Sequence, residues 1–241
     1  MGYETAVEIV PTCPCCGGTT FGAIKSRPLG RCLTCRAVER TRVAKLFLDR
    51  YVKPSVGMRV LHIAPEIGLA RGLMAACGDN YEPADIEADR YARNLGRPVK
   101  QIDLSSQGTL PKERYDLVMH HHVLEHVPAN WTLVLQELHA SVAPGGVHLF
   151  SVPFNNRGYL REDLDPSMNA EERTERFGQH QHMRVFGQMD FDLTLAPVLG
   201  LSPTYSLLDW FAREDLAAAA VPPGRWGRVN GATVFYVRKP A

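Results

Sequence analysis

Between Val60 and Val152 short apolar runs alternate with amphipathic stretches, and this alternation leaves the chain few architectures to choose from. Val60–Ala64 is a run of strand length, and Ile67–Cys77 carries a helical pattern that Gly78–Asp79 ends. The spacing predicts further strands over Val99–Leu104 and Tyr115–His121, each finishing near a charged or polar residue. Pro128 suits the first turn of a helix in which Trp131, Val134, Leu135, Leu138 and Val142 recur at helical spacing. Pro144–Gly145–Gly146 stops it before a buried strand over Val147–Val152. Strands that alternate with helices assemble into an open parallel sheet covered on both faces. Farther on, Phe191–Leu199 reads as helix, Pro203–Leu208 as extended, Ala212–Ala220 as helix and Thr233–Arg238 as a terminal strand.

From Asn155 to Gln188 the composition turns polar with little periodicity. In a compact enzyme a stretch of that length serves more often as a substrate lid than as filler, so it is predicted to roof the site. The 241 residues suit one medium domain with a small appendage. Lys and Arg number 27 against 26 Asp and Glu, and a net charge of +1 sets up no global field for a polyanion. That argues against a dedicated nucleic-acid binder. There is no apolar run of about 18 residues, and Met1–Gly2–Tyr3–Glu4 has neither the basic nor the apolar region of an export signal. A soluble, cytoplasmic protein with no membrane partner is expected.

Five of the six cysteines lie between Cys13 and Cys35, in a segment short of large apolar groups and rich in Gly and Pro. Such a segment cannot build a core from side chains alone. Cys13 and Cys16 are separated by two residues, as are Cys32 and Cys35, with fifteen residues between the pairs. That is the spacing of a four-cysteine zinc site, each pair wrapping one edge of a tetrahedral ion, with Gly17–Gly18 and Gly30 as flexible turns. With four protein ligands the ion is structural rather than catalytic. Cys15 is the rival ligand to Cys16 and is expected to stay unliganded; Cys77 closes an apolar helical run and reads as a buried small hydrophobe. Val38, Val43, Leu46, Phe47 and Tyr51 approximate a helical stripe that would dock the cysteine module on the rest of the chain. The organisation is therefore a zinc ribbon over 1–37, a connecting helix and linker over 38–56, and a main domain over 57–241 with the lid at about 155–188.

In a doubly wound sheet, ligands bind where the first strand turns into the first helix, here Val60–Leu61–His62–Ile63–Ala64–Pro65–Glu66–Ile67–Gly68. The run Tyr115–Asp116–Leu117–Val118–Met119–His120–His121–His122–Val123–Leu124–Glu125–His126–Val127 ends the fourth strand on a Leu-Glu-His signature. On these two motifs the chain resembles class I S-adenosylmethionine-dependent methyltransferases, in particular a subgroup with an N-terminal cysteine module, from Cys13 to the terminal strand. The resemblance implies a doubly wound Rossmann-like α/β methyltransferase sheet, mostly parallel with an antiparallel terminal strand, and S-adenosyl-L-methionine as cofactor. His62, Ala64 and Glu66 stand where the wider family has an acidic residue and two glycines. Glu66 would accept from the methionine amino group or cap the helix, and Gly68 would let the backbone approach the cofactor.

The same resemblance assigns Asp85, with Glu87 as its rival, to the two ribose hydroxyls, which one carboxylate can accept at once. It assigns Asp103, with Leu104 beside it, to the adenine amino group, and places His121 and His122 next to the methionine part. The three adjacent histidines do not read as a second metal site, because neighbours on a strand point to opposite faces. Glu172–Arg173, Glu175–Arg184 and Phe186–Gly187 resemble a second motif of the subgroup, bordering the acceptor pocket. Within it and nearby, His126, His180 or His182 is a candidate general base, and Arg176 or Arg184 would bind an anionic acceptor; structural hydrogen bonding is the alternative for each histidine. Trp210, Phe211 and Trp226 either line that pocket or pack. The expected reaction is methyl transfer to an oxygen or nitrogen of a small-molecule acceptor, a specialised metabolite or sugar. Two other readings remain open. One is an RNA methyltransferase that uses the ribbon, because Lys25–Arg50 carries eight basic residues against two acidic ones. The other is a non-catalytic zinc-ribbon interaction protein, motivated by the altered first loop.

Overall fold

The structure is a computed structural model that describes residues 9–241, so the first eight residues of the expected ribbon, and the reading of Met1–Glu4 with them, lie outside the described residues. The cysteine module is an antiparallel hairpin of β1 (Phe21–Ile24) and β2 (Arg27–Cys32), paired Phe21 to Cys32 and Ile24 to Arg27. Gly30 does not serve as a flexible turn. A Cβ there would meet Ile24 at 2.8 Å, so glycine is what lets the two strands approach. Helix α1 (Glu39–Phe47) comes next and is continued by a wider turn over Leu48–Val52, which ends at left-handed Lys53.

The strand and helix alternation then unrolls as β3 (Val60–Ile63), α2 (Ile67–Cys77), β4 (Tyr81–Asp85), α3 (Ala88–Leu95), β5 (Lys100–Gln101), β6 (Tyr115–His121), α4 (Trp131–Ala140) and β7 (Val142–Ser151). The polar segment after β7 is not irregular: β8 (Phe154–Asn155), β9 (Arg161–Glu162), α5 (Ala170–Phe177) and β10 (Arg184–Gly187) fold, with β10 parallel to β8 and antiparallel to β9. Asn169 and Glu172 form a reciprocal capping box on α5, which explains a helix where no apolar stripe predicts one. The chain closes with α6 (Leu195–Val198), α7 (Arg213–Ala218) and β11 (Phe235–Arg238).

The main sheet has the order β11-β7-β6-β3-β4-β5, parallel throughout except for antiparallel β11 at the edge. Because the order reverses between β3 and β6, the chain leaves these neighbours in opposite directions and opens a crevice at their carboxyl ends. One apolar cluster covers each face: Leu61, Val118, Phe150 and Leu135 on the α4 side, and Leu117, Leu149, Phe47 and Leu73 on the side of α1 and α2. Cys77 is buried in the second cluster, as its sequence context suggests. Among the described residues no helix is long and apolar enough to cross a membrane.

Several boundaries differ from the sequence reading for local reasons. Helix α4 starts at Trp131 because Asn130 Oδ1 accepts from Thr132 N and Leu133 N, which leaves Pro128 outside it. Pro144–Gly145–Gly146 lies inside β7 rather than ahead of it: Val142 already pairs with Tyr115, and Gly145 (φ +74°) takes the irregularity in register. Pro83 is tolerated in β4 because β5 pairs only with Ala84 and Asp85, so the outer edge is unpaired there. The extended run expected over Pro203–Leu208 is a series of turns in which Ser202 and Ser206 side chains accept from Thr204 N and Leu208 N. The helix expected over Phe191–Leu199 shrinks to Leu195–Val198.

A single side chain fastens the hairpin to the rest of the molecule. Arg42 of α1 is fully buried; its Nε donates to Ala219 O (2.9 Å), Nη1 to Ala37 O (2.9 Å), and Nη2 to Leu29 O (2.7 Å) and Ala220 O (2.8 Å). Four carbonyls from the hairpin, its exit and the end of α7 are thus satisfied by one guanidinium. Replacing Arg42 by Met roughly keeps the volume but takes the side-chain donor from Leu29, Ala219 and Ala220 O, each at roughly 1–3 kcal/mol before relaxation, while Ala37 O keeps its bond from Cys32 N. The expected loss is on the order of 4 kcal/mol in urea unfolding, with a lower midpoint and unchanged m-value; an unshifted midpoint would show that water replaces the guanidinium freely.

Candidate functional site

The crevice holds a cavity of about 490 Å³, within the ~300–1,000 Å³ range typical of small-molecule sites. Both strands that flank it end in strained turns. Ala64 after β3 has φ +51° and His122 after β6 has φ +54°, a left-handed conformation that side chains other than glycine adopt at a cost of order 1–3 kcal/mol. Ala64 therefore performs, with strain, the turn for which the wider family has glycine. One end of the cavity is lined by Ala64, Asp85, Ile86, Glu87, Tyr91, Asp103 and Leu104, and the other by His122, His126, Arg173, His180, Gln181 and Met183.

The two carboxylates at the first end are held by their own loops. Asp85 Oδ1 accepts from Glu87 N at 2.7 Å, and burial lifts its carboxyl above the ordinary value. Asp103 Oδ1 accepts from Ser105 Oγ (2.7 Å) and Ser105 N (2.8 Å), and these bonds hold its carboxyl below the ordinary range. This turn, rather than a helix cap, is what cuts β5 to two residues. Rival Glu87 also borders the cavity, with its side chain paired to Arg90 at 2.7 Å.

Other candidates from the first loop face elsewhere. His62 is fully buried on the α2 side of the sheet, its Nδ1 3.0 Å from the Tyr81 hydroxyl, and does not line the cavity. Glu66 makes no side-chain cap on α2; it accepts from Thr41 Oγ1 (3.1 Å) and pairs with Arg40 (3.0 Å) on α1. Gly68 turns its open side to the cysteine module, where a Cβ would lie 3.5 Å from Ala37 and 3.7 Å from Cys15. Glu66 and Gly68 form the seat of the module.

The histidine run divides between faces as strand geometry requires. His120 meets His148 Nε2 to Nε2 at 3.1 Å on the α4 side, whereas His121 Nδ1 sits 3.0 Å from Ser151 Oγ on the other and is outside the cavity lining. His122 reaches the cavity. Its Nδ1 is 3.4 Å from Oε1 of Glu125, whose carboxylate is fully buried with neither oxygen hydrogen-bonded. Burial pushes the Glu125 carboxyl up to about 8. His126 Nε2 and His182 Nε2 each lie 4.0 Å from the same Oε1. His126 and His180 line the cavity and His182 stands one layer behind, its imidazole pulled down to about 4 by burial.

Neither arginine expected to hold an anionic acceptor borders the cavity. Arg176 is exposed and paired with Asp163 at 2.5 Å. Arg184 is buried and spends its donors on the carbonyls of Leu124, Val127 and Ala129 and on Glu162, so it fixes the loop that carries Glu125 and His126. The cations that do border the cavity are Arg90, beside Glu87, and Arg173, nearly one turn of α5 before Arg176. Trp210 and Phe211 pack on Phe47, and Trp226 Nε1 donates to Val221 O.

In the cysteine module, Cys13, Cys16, Cys32 and Cys35 bring their Sγ atoms within 4.8 Å of one another, with Cys13–Cys35 and Cys16–Cys32 at 3.6 Å. Cys15 points away, its Sγ 3.8 Å from Thr41 O, against α1.

The family described as a methyltransferase domain matches residues 37–195 of the chain. No curated protein matches its sequence. Among solved structures the chain is similar to the 1,6-didemethyltoxoflavin-N1-methyltransferase of Burkholderia thailandensis with 1,6-didemethyltoxoflavin and S-adenosylhomocysteine bound (17% identity, 84% of this chain and 79% of that one covered, TM-score 0.49). It is also similar to an S-adenosylmethionine-dependent methyltransferase of Mesorhizobium loti (17% identity, 59% and 75% covered, TM-score 0.42) and to the [4+2]-cyclase SpnF (14% identity, 83% and 80% covered, TM-score 0.46). The likeness is one of fold, and the substrates named for those proteins are theirs.

The imidazoles buried in the sheet give stability a definite pH dependence. Burial holds His62 and His120 down to about 3, against an ordinary 6.5 that the unfolded chain regains. Between those values the unfolded state binds protons that the folded state refuses, so their contribution is complete above about pH 6.5 and is lost as pH falls toward 3. Each site adds about 1.4 kcal/mol per pH unit within that window. A His62→Asn variant, which keeps a polar atom for Tyr81, is expected to flatten the slope of stability between pH 6 and 4 by about that amount. Equal slopes in urea titrations would mean that His62 is protonated within the fold.

Proposed function

Because the chain belongs to the family of S-adenosylmethionine-dependent methyltransferases, we propose that it methylates an oxygen or nitrogen of a small molecule inside the cavity between β3, β6 and the folded roof. The observation that carries this reading is the division of the cavity. Two carboxylates at the ends of β4 and β5 face a group of titratable side chains at the other end, and α5 to β10 close over them.

The residues present fit the cofactor. Asp85 and Asp103 each satisfy one oxygen within their own turns, leaving Oδ2 without a hydrogen bond among the described residues. Asp85 would hold the ribose hydroxyls and Asp103 the adenine amino group, with Ile86 and Leu104 supplying apolar walls. When bound, the cofactor supplies an electrophilic methyl group to the attacking acceptor atom. The chain's own tasks are to aim that atom and take its proton where it carries one. His126 and His180 border the cavity and are the candidates for that proton.

The basic composition of Lys25–Arg50 is largely spent within the fold, which favours the small-molecule reading over RNA. Arg42 is buried, and Arg27, Arg40, Lys45 and Arg50 are paired with Glu39, Glu66, Asp49 and Asp215. The cysteine cluster fits zinc. Ligands about 2.3 Å from a tetrahedral ion stand roughly 3.8 Å apart, close to the 3.6 Å separations present. Four protein ligands leave no open position, so the ion would fold the hairpin rather than act on substrate.

Calorimetric titration with S-adenosylhomocysteine tests the cofactor reading. Micromolar binding is expected, with Asp85→Ala and Asp103→Ala each weaker by at least about tenfold, or about 1.4 kcal/mol; unchanged affinity would remove the residue concerned from the site, and no binding by the wild type would return the interaction-module reading. Metal analysis tests the hairpin: about one zinc per chain at these thiolates is expected to be lost in Cys32→Ser with a fall in melting temperature, and full zinc retention would sink the four-cysteine assignment.

A further inference from the structure

We propose that Glu125, His126 and His182 form a second metal site, for a divalent cation of the zinc or manganese class, at the mouth of the cofactor cavity. One donor atom from each of the three lies within 4.8 Å of the others, and both imidazole Nε2 atoms stand 4.0 Å from Glu125 Oε1. Donors about 2.1 Å from a tetrahedral ion are separated by roughly 3.4 Å, so the side chains must close in by about 0.6 Å at each Glu125–imidazole pair to complete the geometry.

Two independent observations point to a cation rather than a chance cluster. Glu125 is fully buried, yet neither carboxylate oxygen has a hydrogen-bond partner. Arg184 spends its donors on three carbonyls and Glu162, while Arg40 pairs with Glu66 through Nη2 and its buried Nε bonds neither Glu125 nor any other described residue. A buried carboxyl left in that condition either ionises at a cost of several kcal/mol or keeps its proton, and a bound ion would offset that cost and take the proton's place. The second observation concerns the tautomer of His126. Its Nδ1 lies 3.3 Å from Gln181 O, and since a carbonyl only accepts, the proton is on Nδ1 and the lone pair of Nε2 is directed toward Glu125. A backbone carbonyl on the far nitrogen is how metal-bound imidazoles are ordinarily oriented. Met183 N donates to Glu125 O at 2.8 Å, so the segment that carries His182 is pinned to the same loop.

Two imidazoles and a carboxylate, with no thiolate, suit a borderline divalent ion, and three protein donors leave a coordination position open. His126 borders the cavity, so the open position is available to an oxygen of the acceptor, such as a hydroxyl beside the one methylated, and with both His126 nitrogens occupied the acceptor's proton is left to His180. That role rests on the methyltransferase reading; the binding of the ion does not.

The test uses the full chain with its cysteine site zinc-loaded, titrated separately with Zn2+ and Mn2+ against a chromogenic chelator. One further equivalent of either ion is expected. Glu125→Gln, which is isosteric, and His182→Gln should each weaken it by at least about tenfold, since even outer-sphere partners of a metal are worth 10–100-fold. No further equivalent with either ion, or equal affinity in Glu125→Gln, overturns the site. S-adenosylhomocysteine titration of the same samples separates the two readings: cofactor binding without a second ion rejects this site alone, and a second ion without cofactor binding retains the site and rejects its role toward the acceptor.

Discussion

Parallel pairing of β3 with β6, whose connections leave on opposite sides, is the constraint on which the rest of the molecule depends. The register that places Ile63 beside His120 puts the two chain exits next to each other, and both are left-handed, at Ala64 and His122. The reversal of strand order there opens the gap, and both strained residues stand at its edge, where the packed sheet holds them. Everything assigned to the site lies on the loops that this opening aligns.

The cysteine module belongs to the same construction. It does not touch the cavity directly. Cys15 and Ala37 sit against Gly68, and Thr41 and Arg40 grip Glu66, so the loop after β3 is braced from behind by α1 and the hairpin. Residues that the family pattern would direct toward cofactor are here the foundation for another part of the chain. The departure from the usual glycine-rich loop and the presence of a cysteine module thus have one physical explanation, because the loop has a partner to hold it in shape.

The sheet was legible because its strands are buried on both faces and read as apolar runs, and the cysteine set because its spacing has few other uses. The acidic residues at the ends of β4 and β5 were legible by position along the chain. What escaped the sequence was orientation. Arg184 and Arg173 lie eleven residues apart in one polar stretch and both donate to backbone carbonyls, and nothing in the sequence tells that only Arg173 also borders the cavity. The packing of Glu66 and Gly68 was hidden for the same reason, since their neighbours come from 25 or more residues earlier. Glu125 carried a readable signal, an acidic residue inside an otherwise apolar turn, whose meaning depends on His182 arriving from the far side of the roof.

Arg42 ties α1 to the segment after α7, since its partners Ala219 and Ala220 lie 177 and 178 residues downstream. During synthesis at roughly 5–20 residues per second, that interval lasts on the order of 10–35 s. The hairpin and its seat at Glu66 and Gly68 are therefore made long before the carbonyls of Ala219 and Ala220 exist. Until then the Arg42 guanidinium lacks two of its four partners, and the arrival of the segment after α7 decides when the lock closes.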